Sequence, residues 1–535
     1  MKNPQGTDWP DIQVTGEVLS QTAARLPDKV GLICEGLHMT FAEMDAGANQ
    51  LANGLLDLGL ARGAKVAIMA RNVPAYALIF FGAARSGHVL VHASTRYIAD
   101  ELAYVLQKSD SEALIVEAPF ADIARAAVDN CPGIRHLIVI DDILQETQTP
   151  VDASRFSDLL SSASPLPPDV VVAGSDIFGI TFTGGTTGFP KGVVNRAKTD
   201  RVQGMVNMAG MLVKPDDVFY TALPLFHANA LVITASLAMA GGVPFGLDKK
   251  FSASRFWENT RRYGATQFNG IGAMIPILMK QPERPDDRDN SVRAVISAAC
   301  PINLWEAFEK RFGLQIWEIY GAVDGGGVMT LNMGNAPAGS IGKPLRGEWK
   351  LVDENDEEVP AGEIGEMINK VDEGSIRTAE YYKNDEASAK KSQGGWIRSG
   401  DLFYADKDKN LYFVDRASDS MRRRGENISS FEVERIVEKY PDVMTCAAFG
   451  VPSELGEDEV MLWVKPVAGK TLDLKELIRH CVDNMAFFMI PRYIDMVEDI
   501  PRTGTLRSQK AGMKKQGVTD RTWDREKEMP DLKKR

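Results

Sequence analysis

The hydrophobic pattern of the first 140 residues alternates between a helical period and a strand period. In residues 40–59, apolar side chains recur three or four positions apart, which predicts an amphipathic helix with Thr40 as its N-cap. His88 and His92 lie on a short apolar run typical of a strand, so we interpret both as structural. Because strands alternate with helices, we expect a parallel, wound sheet. The pattern predicts helices at residues 40–59, 73–86 and 99–108, and strands at residues 65–70, 88–92 and 113–116.

The C-terminal part of the chain has a different pattern. Residues 348–366 alternate like two hairpin strands joined by an acidic turn, and residues 443–497 predict two strands, a helix and a strand. These elements indicate a β-rich segment followed by a small α+β domain. Residues 141–176 are rich in Ser, Pro and Asp and predict a surface connection. After Lys514 the chain is charged and poor in apolar residues, which predicts a loose helix or disorder.

Composition narrows the class of protein. With 535 residues, the chain is long enough for more than one domain with a substantial core. Its net charge of -12 argues against broad nucleic-acid binding. The five cysteines lack the spacing of a zinc site, and the chain opens without a basic and apolar leader, so we expect a cytoplasmic protein with reduced thiols. Residues 228–247 approach the length of a membrane span, but Asn229 and the run 241–244 interrupt them, which favours a buried helix and a strand.

Candidate chemistry is concentrated in residues 180–194, which read ITFTGGTTGFPKGVV. Apolar residues at both ends predict two strands, and every residue between Phe182 and Phe189 is glycine or threonine. Bare backbone N–H groups and hydroxyls suit a loop around an anion such as a phosphate, and Lys191 adds a positive charge. A flexible hairpin is the alternative. The motif differs from the Walker loop, in which the lysine precedes Ser or Thr at the start of a helix.

This stretch resembles the phosphate loop of the adenylate-forming superfamily, which contains acyl-CoA synthetases, adenylation domains and luciferases. The usual form is T-S-G-T-T-G-x-P-K-G, and Gly184 stands here in place of the serine. Further motifs of the family follow in its order: LPLFH at residues 223–227, EIYGAVD at 318–324, GWIRSGD at 395–401 and GENI at 425–428. The sequence of residues 415–434 most resembles that of the crotonobetaine/carnitine-CoA ligase group.

The resemblance implies a site for ATP and Mg²⁺. The loop and Lys191 would hold the β- and γ-phosphates. Asp324 stands where the family has a glutamate that binds magnesium, and its carboxylate keeps the hard oxygen ligand that this ion requires. Thr186 of the loop is the second implied magnesium ligand. Lys191 and Asp324 are therefore candidate catalytic residues.

The adenosine half of the implied site follows from three later motifs. Tyr320 would stack on adenine, and Gly321 would let the backbone approach closely. Asp401 would accept both ribose hydroxyls, and Arg416 would contact ribose and phosphate. The turn at Ala299 resembles the one that abuts adenine, although a plain turn that opens a helix fits equally well. The implied ATP- and AMP-binding residues are Thr183, Gly184, Gly185, Thr186, Thr187, Gly188, Lys191, Ala299, Tyr320, Gly321, Asp401 and Arg416.

The LPLFH element resembles the motif that lines the acyl pocket in the family. It implies that an aromatic ring and a histidine line the pocket beside the path of the thiol, although a lone histidine is more often structural. The strand and helix over residues 264–278 would supply one wall, and the glycines after Asp324 would make room at the acyl end. The candidate pocket residues are Phe226, His227, Phe268, Gly270, Ala273 and Gly325.

The resemblance also implies a hinge after Arg416, around which a C-terminal domain swings between two half-reactions. We therefore expect an adenylation domain at residues 1–416 and a mobile domain at residues 417–535. Ser418 occupies the hinge position, and Arg424 and Gly425 would lie near the pantetheine path of coenzyme A. The arginine run over residues 422–424 either meets phosphates or forms a solvated strand face.

Several positions depart from the family's pattern. Val323 lacks the hydroxyl that contacts the α-phosphate, Asp324 is one methylene shorter than the usual glutamate, and Ser418 replaces a lysine or aspartate. Arg507 stands where a lysine bridges the carboxylate and the α-phosphate, and Lys510 lies three residues further on. Arg507, or otherwise Lys510, would support the attacking carboxylate.

Together, these patterns predict an α/β protein. Its large N-terminal domain would combine wound α/β subdomains with a β-rich subdomain, and a small, mobile α+β domain would follow. The predicted activity is that of an AMP-forming carboxylate-CoA ligase, which makes acyl-AMP and then acyl-CoA from a carboxylic acid, ATP with Mg²⁺, and coenzyme A. A stand-alone adenylation enzyme with another acceptor, such as a carrier protein, and a nucleotide-binding pseudoenzyme are the alternatives. We expect neither a nucleic-acid partner nor a membrane span, and the family allows a homodimer.

Overall fold

The computed structural model describes residues 3–141, 153–182, 190–197, 200–271, 274–325, 327–345, 347–370, 379–423, 426–453, 458–502 and 508–532. Within these residues the strands form five sheets. Sheets of seven, nine and five strands precede Ser418, and sheets of two and four strands follow it. This arrangement confirms the predicted α/β fold with a large N-terminal part, a β-rich part and a smaller C-terminal part. No helix in the described ranges is both long and apolar enough to cross a membrane.

The seven-stranded sheet carries the predicted alternation of strands and helices. Its strands pair in parallel except for the last two, which are antiparallel. The predicted helix over residues 40–59 is confirmed at Phe41–Asp57, and Thr40 caps it through a reciprocal pair of hydrogen bonds with Glu43. In spatial order the strands are Ser154–Arg155, His136–Ile140, Ser111–Glu117, Lys65–Met69, Val89–His92, Ile177–Phe182 and Gly192–Arg196.

Burial explains the structural role of His88 and His92. The Nδ1 atom of His88 lies 2.7 Å from the Ser86 hydroxyl oxygen, and that of His92 lies 2.8 Å from the Tyr76 hydroxyl oxygen. Burial lowers the pKa of both imidazoles, to about 4 for His92. Both rings are therefore neutral hydrogen-bonding groups of the core near pH 7, as predicted.

The nine-stranded sheet contributes several of the candidate site residues. Its central strands run parallel, and antiparallel strands close both edges. The apolar stretch 228–247 is confirmed as buried helical turns and a strand: a π-helix at Asn229–Ser236, a helix at Leu237–Gly241 and the strand Phe245–Leu247. In spatial order the strands are Lys343–Pro344, Gly327–Asn332, Gln315–Ala322, Ala294–Ala298, Gln267–Ile271, Phe219–Thr221, Phe245–Leu247, Val30–Cys34 and Leu37–Thr40.

The β-rich and C-terminal parts confirm the remaining predicted strands. The predicted hairpin pairs antiparallel, and Ser429 caps the first C-terminal helix by accepting the Glu432 N–H. The five-stranded sheet contains Trp349–Val352, Gly365–Lys370, Trp396–Ala405, Ser392–Gln393 and Leu411–Arg416. The two-stranded sheet pairs Met421–Arg423 with Glu426–Ile428, and the four-stranded sheet orders Val443–Pro452, Asp458–Pro466, Tyr493–Met496 and Trp523–Asp524.

Helices connect and cover these sheets. Besides those already named, the α-helices are Glu17–Arg25, Pro74–Ser86, Ala99–Ser109, Ala121–Val128, Phe156–Ser162, Asp200–Leu212, Phe256–Tyr263, Met274–Met279, Ile302–Phe312, Asp385–Lys391, Ser430–Val437, Leu474–Asn484, Lys510–Gln516 and Arg525–Glu528. Short 3₁₀ turns lie at Ala118–Phe120, Ala253–Arg255, Val323–Gly325 and Phe487–Met489.

Two segments with few apolar residues contain elements of their own. Residues 153–176, within the predicted surface connection, are mostly exposed or partly exposed, as expected, and include the strand Ser154–Arg155 and a helix that buries Phe156. The prediction of a loose tail is wrong, because Trp523–Asp524 pairs with an inner strand and the buried Arg525 lies over the Phe487 ring. Backbone pairing and a cation on an aromatic face order this tail, and neither shows in the hydrophobic pattern.

Candidate active site

The two strands that flank the predicted phosphate loop are confirmed. Ile177–Phe182 and Gly192–Arg196 pair antiparallel with Phe182 opposite Gly192, so the chain reverses between them. Thr183, Gly184, Gly185, Thr186, Thr187 and Gly188 lie outside the described residues. Lys191 directly precedes the second strand, and its Nζ lies 5.4 Å from the centre of the Tyr381 ring.

Tyr381 links Lys191 to Asp324. It comes close to Lys191 because its segment pairs with the second strand, where the Tyr382 N–H donates to the Gly192 carbonyl at 2.8 Å. The Tyr381 hydroxyl donates to Asp324 Oδ2 at 2.6 Å. Burial, reinforced by the adjacent Asp324 carboxylate, raises the pKa of Tyr381, so its hydroxyl stays a donor at neutral pH.

Asp324 has a second neighbour, the cationic Lys391. The Lys391 Nζ lies 3.4 Å from Asp324 Oδ2, and the same ammonium donates to the Ser399 carbonyl at 2.9 Å. The Asp324 side chain is 21% exposed, and the Tyr381 hydroxyl and the Lys391 ammonium both contact its Oδ2 atom. Such a carboxylate fits Mg²⁺ that takes its other ligands from substrate phosphates and water. The described ranges do not contain a metal site built from protein ligands alone, because no three His, Cys, Asp or Glu side chains cluster there as metal ligands.

Tyr320, Asp401 and Arg416 meet at the junction of the nine-stranded and five-stranded sheets. The Tyr320 hydroxyl donates to Asp401 Oδ2 at 2.6 Å, and Arg416 Nε lies 3.7 Å from Asp401 Oδ1. Asp401 and Arg416 are directly opposite each other on paired strands. The Tyr320 ring packs edge to face on Phe403, with 4.8 Å between ring centres. The structure therefore brings together the three residues predicted for the nucleoside.

The turn at Ala299 is held by a carboxylate that the sequence reading did not single out. Ala299 has a left-handed backbone with φ of 69°, which is strained for a residue other than glycine. Glu318 accepts hydrogen bonds from the N–H groups of Ala299 and Cys300. Burial raises the pKa of Glu318 to about 7. Glu318 thus fixes the turn that lies next to the strand of Tyr320.

Close backbone approach explains the candidate glycines. A Cβ on Gly321 would lie 2.4 Å from the Gly327 carbonyl oxygen, so only glycine fits between these strands. A Cβ on Gly325 or on Gly270 would lie 3.2 Å from a neighbouring side chain, which leaves little room for substitution. Ala273 lies outside the described residues.

Phe226 and His227 lie together on the predicted pocket element. Their ring centres are 4.5 Å apart, and Phe226 is buried whereas His227 is partly exposed. The buried Asn72 shapes this element, since its amide oxygen accepts the Leu225 N–H at 2.9 Å and its amide nitrogen donates to the Leu223 carbonyl. The π-helix that follows is a geometry often found at functional sites.

Phe268 lies in the hydrophobic core. Its ring packs edge to face on Phe256 with 4.9 Å between centres, and it also contacts Trp257. Successive side chains of a strand point to opposite faces, and the next residue, Asn269, donates a hydrogen bond to Asn229 of the π-helix. Asn269, which was not singled out from the sequence, therefore contacts the π-helix that follows Phe226 and His227.

The candidate hinge and the C-terminal lysine occupy different environments. Ser418 is exposed, and its carbonyl accepts a hydrogen bond from Lys514. Lys510 is buried: its Nζ lies 2.8 Å from Glu434 Oε1 and donates to the Ser430 hydroxyl at 2.5 Å. Burial alone would lower the pKa of Lys510, but the carboxylates of Glu434 and Asp415 outweigh it and the pKa is raised. The ammonium is thus engaged by the protein. Arg424, Gly425 and Arg507 lie outside the described residues.

Comparison with known families decides the relationship. The family described as AMP-binding enzyme matches residues 19–372, and the AMP-binding enzyme C-terminal domain matches residues 432–507. The chain belongs to the AMP-binding enzyme family. The resemblance to adenylate-forming enzymes is thereby confirmed over both parts of the chain.

Individual relatives narrow the comparison. A crotonobetaine/carnitine–CoA ligase from Salmonella heidelberg is 32% identical over 495 residues, which cover 89% of this chain and 94% of that protein. The structure of an anthranilate CoA ligase with anthranoyl-AMP aligns with a TM-score of 0.84 at 24% identity, over 95% of this chain and 98% of that one. The structure of a benzoate CoA ligase from Burkholderia xenovorans aligns with a TM-score of 0.81 at 24% identity, over 94% of this chain and 100% of that one. The family and the ligase relative confirm the predicted class, an AMP-forming acyl-CoA synthetase, and the solved structures show its fold.

Three side chains of this AMP-binding enzyme escaped the sequence reading. Tyr381 and Lys391 lie between recognised motifs and reach Asp324 only through sheet pairing and the end of a helix. Glu318 carried a usable signal, because a carboxylate inside the apolar strand Gln315–Ala322 is rarely buried without a specific partner. Lys391 showed no comparable signal, since a lysine at the end of a helix is ordinary.

Proposed function

We propose that this chain joins a carboxylic acid to coenzyme A in two half-reactions at one site. In the first, a carboxylate oxygen attacks the α-phosphorus of ATP, the bond to the β-phosphate breaks, and pyrophosphate leaves. In the second, the thiol sulfur of coenzyme A attacks the acyl carbon, its proton passes to solvent, and AMP leaves. The meeting of Tyr320, Asp401 and Arg416 carries this proposal, since a ring, a carboxylate and a guanidinium together suit a nucleoside monophosphate.

The nucleoside would be held by groups that are already assembled. The Tyr320 ring would stack on adenine beside the Ala299 turn. Asp401 would accept the ribose hydroxyls, exchanging its bond from the Tyr320 hydroxyl for one of them. Arg416 lies on the same carboxylate and can extend toward the phosphate that follows the ribose. Preassembly lowers the entropic cost of placing the α-phosphorus for attack.

The phosphates would lie toward Lys191 and Asp324. Asp324, together with Thr186 of the loop, would hold Mg²⁺, and the bound ion supplies positive charge that offsets the charge of the polyphosphate. Tyr381 orients the Asp324 carboxylate, and the Lys191 ammonium lies over the Tyr381 ring as a further cation. These groups stabilise charge and position, which is the main demand of this chemistry.

We assign the support of the attacking carboxylate to Arg507. The alternative, Lys510, has its ammonium in a buried ion pair with Glu434, which favours a structural role. The proposal includes the domain division at residue 416, with Ser418 as hinge and Arg424 and Gly425 near coenzyme A. Phe226, His227 and Asn269 would line the acyl side. A cytoplasmic homodimer completes the proposal, and light scattering of the purified chain tests that state.

Acid-dependent pyrophosphate release tests the first half-reaction. The panel contains short, branched and aromatic acids together with quaternary-ammonium acids, which the relationship to a crotonobetaine/carnitine–CoA ligase puts first. We expect release with at least one acid, and mass spectrometry should then detect its CoA thioester. Release without a thioester, but with transfer to a carrier protein, would identify the other acceptor. ATP binding without release from any acid would show a pseudoenzyme and overturn the proposal.

A matched pair of variants links activity to the nucleoside site. Asp401→Asn removes the negative charge beside Arg416 and weakens the acceptor for the ribose hydroxyls, so we expect pyrophosphate release to fall at least about tenfold at limiting ATP. Asp408→Asn changes an exposed carboxylate on the turn after the same strand and should leave the rate unchanged. Equal rates for both variants would contradict the assigned role of Asp401.

A further inference from the structure

Lys391 joins the two halves of the site. It is the last residue of the helix Asp385–Lys391, and the chain then turns into the strand pair that carries Asp401. Its ammonium bridges Asp324 Oδ2 at 3.4 Å and the Ser399 carbonyl at 2.9 Å. The side chains of Lys391 and Asp324 are 15% and 21% exposed, so this bridge is shielded but not sealed.

The position of the ammonium along a bound nucleotide follows from its two neighbours. Ser399 precedes Asp401 by two residues on the strand Trp396–Ala405, and Asp401 is the proposed ribose contact. Asp324 is the proposed metal carboxylate beside the polyphosphate. The α-phosphate connects ribose to polyphosphate, so its path runs between these two carboxylates, where Lys391 lies. The backbone of Gly400 lies beside this ammonium, because a Cβ built on Gly400 would lie 3.9 Å from it, an ordinary contact distance.

We propose that Lys391 binds the α-phosphate of the nucleotide and stabilises the charge that develops there during carboxylate attack. On nucleotide binding, the ammonium exchanges its contact with Asp324 for a non-bridging oxygen of that phosphate, and the Tyr381 hydroxyl continues to hold Asp324. This assignment rests on the proposed function. It gives the site two lysines with separate tasks, Lys191 over the Tyr381 ring and Lys391 at the Asp324 carboxylate.

The chemistry of the neighbouring turn supports this role. Val323 precedes Asp324 on the turn Val323–Gly325 and has no hydroxyl to offer a phosphate. A lysine ammonium brings three donors and a full positive charge to the same place. Because the attacked phosphorus gains negative charge on its oxygens, a cation there stabilises the transition state more than the ground state.

Nucleotide binding without metal isolates the contact. Isothermal titration in EDTA measures the affinity of wild type, Lys391→Met, Lys391→Arg and Lys390→Met for adenosine and for AMP. Lys390 is exposed on the same helix and serves as the matched control. We expect Lys391→Met to weaken AMP binding about 10- to 100-fold, as for the loss of one charged hydrogen bond, and to leave adenosine binding unchanged. Lys391→Arg should recover much of the AMP affinity, and Lys390→Met should match wild type.

The ratio of the two affinities decides the matter. Equal losses for adenosine and AMP would show that Lys391 only supports the fold, and an unchanged affinity for AMP would also overturn the assignment. If Lys391→Met does not fold, Lys391→Gln measures the same ratio, because its amide can still donate to the Ser399 carbonyl. The proposed function fails separately, when wild type releases no pyrophosphate with any acid, whereas the AMP-to-adenosine ratio is measured without any acid.

Discussion

The buried carboxylate of Glu318 makes stability depend on pH in a way that one substitution should remove. Glu318 is 2% exposed and accepts the N–H groups of Ala299 and Cys300. Burial outweighs these hydrogen bonds and raises its pKa from 4.5 to about 7. Glu318→Gln keeps an acceptor oxygen for both N–H groups and removes the charge. The substitution therefore separates the hydrogen bonds of the turn from the cost of ionising a buried acid.

The magnitude follows from the difference between the two pKa values. The unfolded chain releases the Glu318 proton near pH 4.5 and the folded chain near pH 7, so between these values the folded state binds more protons. Stability therefore falls as the pH rises through this window and levels off above it. The full difference corresponds to about 3 kcal/mol. Since a neutral amide is a weaker acceptor than a carboxylate, we expect a net gain of about 1–2 kcal/mol for Glu318→Gln at pH 8.

Urea unfolding at pH 5 and pH 8, followed by tryptophan fluorescence, measures this gain. At pH 8 the midpoint for Glu318→Gln should lie above that of wild type, and at pH 5 the two midpoints should coincide or the variant should be slightly lower. Glu306→Gln changes an exposed glutamate on the helix that follows the turn and should have no effect at either pH. Equal destabilisation by Glu318→Gln at both pH values would refute the reasoning, because Glu318 would then be ionised and fully satisfied in the fold.

Two further substitutions test close packing and the buried ion pair. Gly321→Ala places a methyl group 2.4 Å from the Gly327 carbonyl oxygen, so calorimetry should show a loss of about 1–3 kcal/mol in the free energy of unfolding, together with weaker AMP binding. The control Gly512→Ala, whose methyl group would meet nothing within 4 Å, should be neutral or stabilising. Lys510→Met removes the cation that faces the mostly buried Glu434 and the buried Asp415, which should cost about 3–5 kcal/mol in urea unfolding. The exposed Lys515→Met should cost nothing, and equal stability of both lysine variants would contradict the ion-pair assignment.

Local patterns were sufficient for most elements of the fold. The helix Phe41–Asp57 combines a spaced apolar face with a capping box, and both are encoded within a few residues. The parallel strands of the seven-stranded sheet are short apolar runs between helices. Tyr320, Asp401 and Arg416 each lie in a motif, and the structure places Tyr320 and Arg416 beside the Asp401 carboxylate. Their role in binding a nucleoside stays a prediction.

Two features could not be predicted from local patterns: which side chains of a doubly covered strand point toward the core, and which residues far apart in sequence come into contact. Phe268 and Asn269 alternate on a strand that is covered on both faces, so period alone does not say which of them turns toward the core. Tyr381 and Lys391 contact Asp324 across more than fifty residues of sequence. These contacts depend on sheet pairing and on where a helix ends, which no local pattern specifies.

The contacts of Asp415 restrict the proposed hinge. Asp415 precedes Ser418 and is buried, yet it accepts the Ser430 N–H at 2.6 Å and faces the Lys510 ammonium, both of which follow the hinge. A rotation about Ser418 that separated these groups would leave a buried carboxylate without its donor and its cation. Burial raises the pKa of Asp415, while the Lys510 ammonium and the Ser430 N–H favour its ionised form, so losing these two groups would raise the pKa further wherever Asp415 stayed buried. A swing of the C-terminal part therefore either carries this electrostatic cost or keeps the cap of the helix Ser430–Val437 in place while the rest moves.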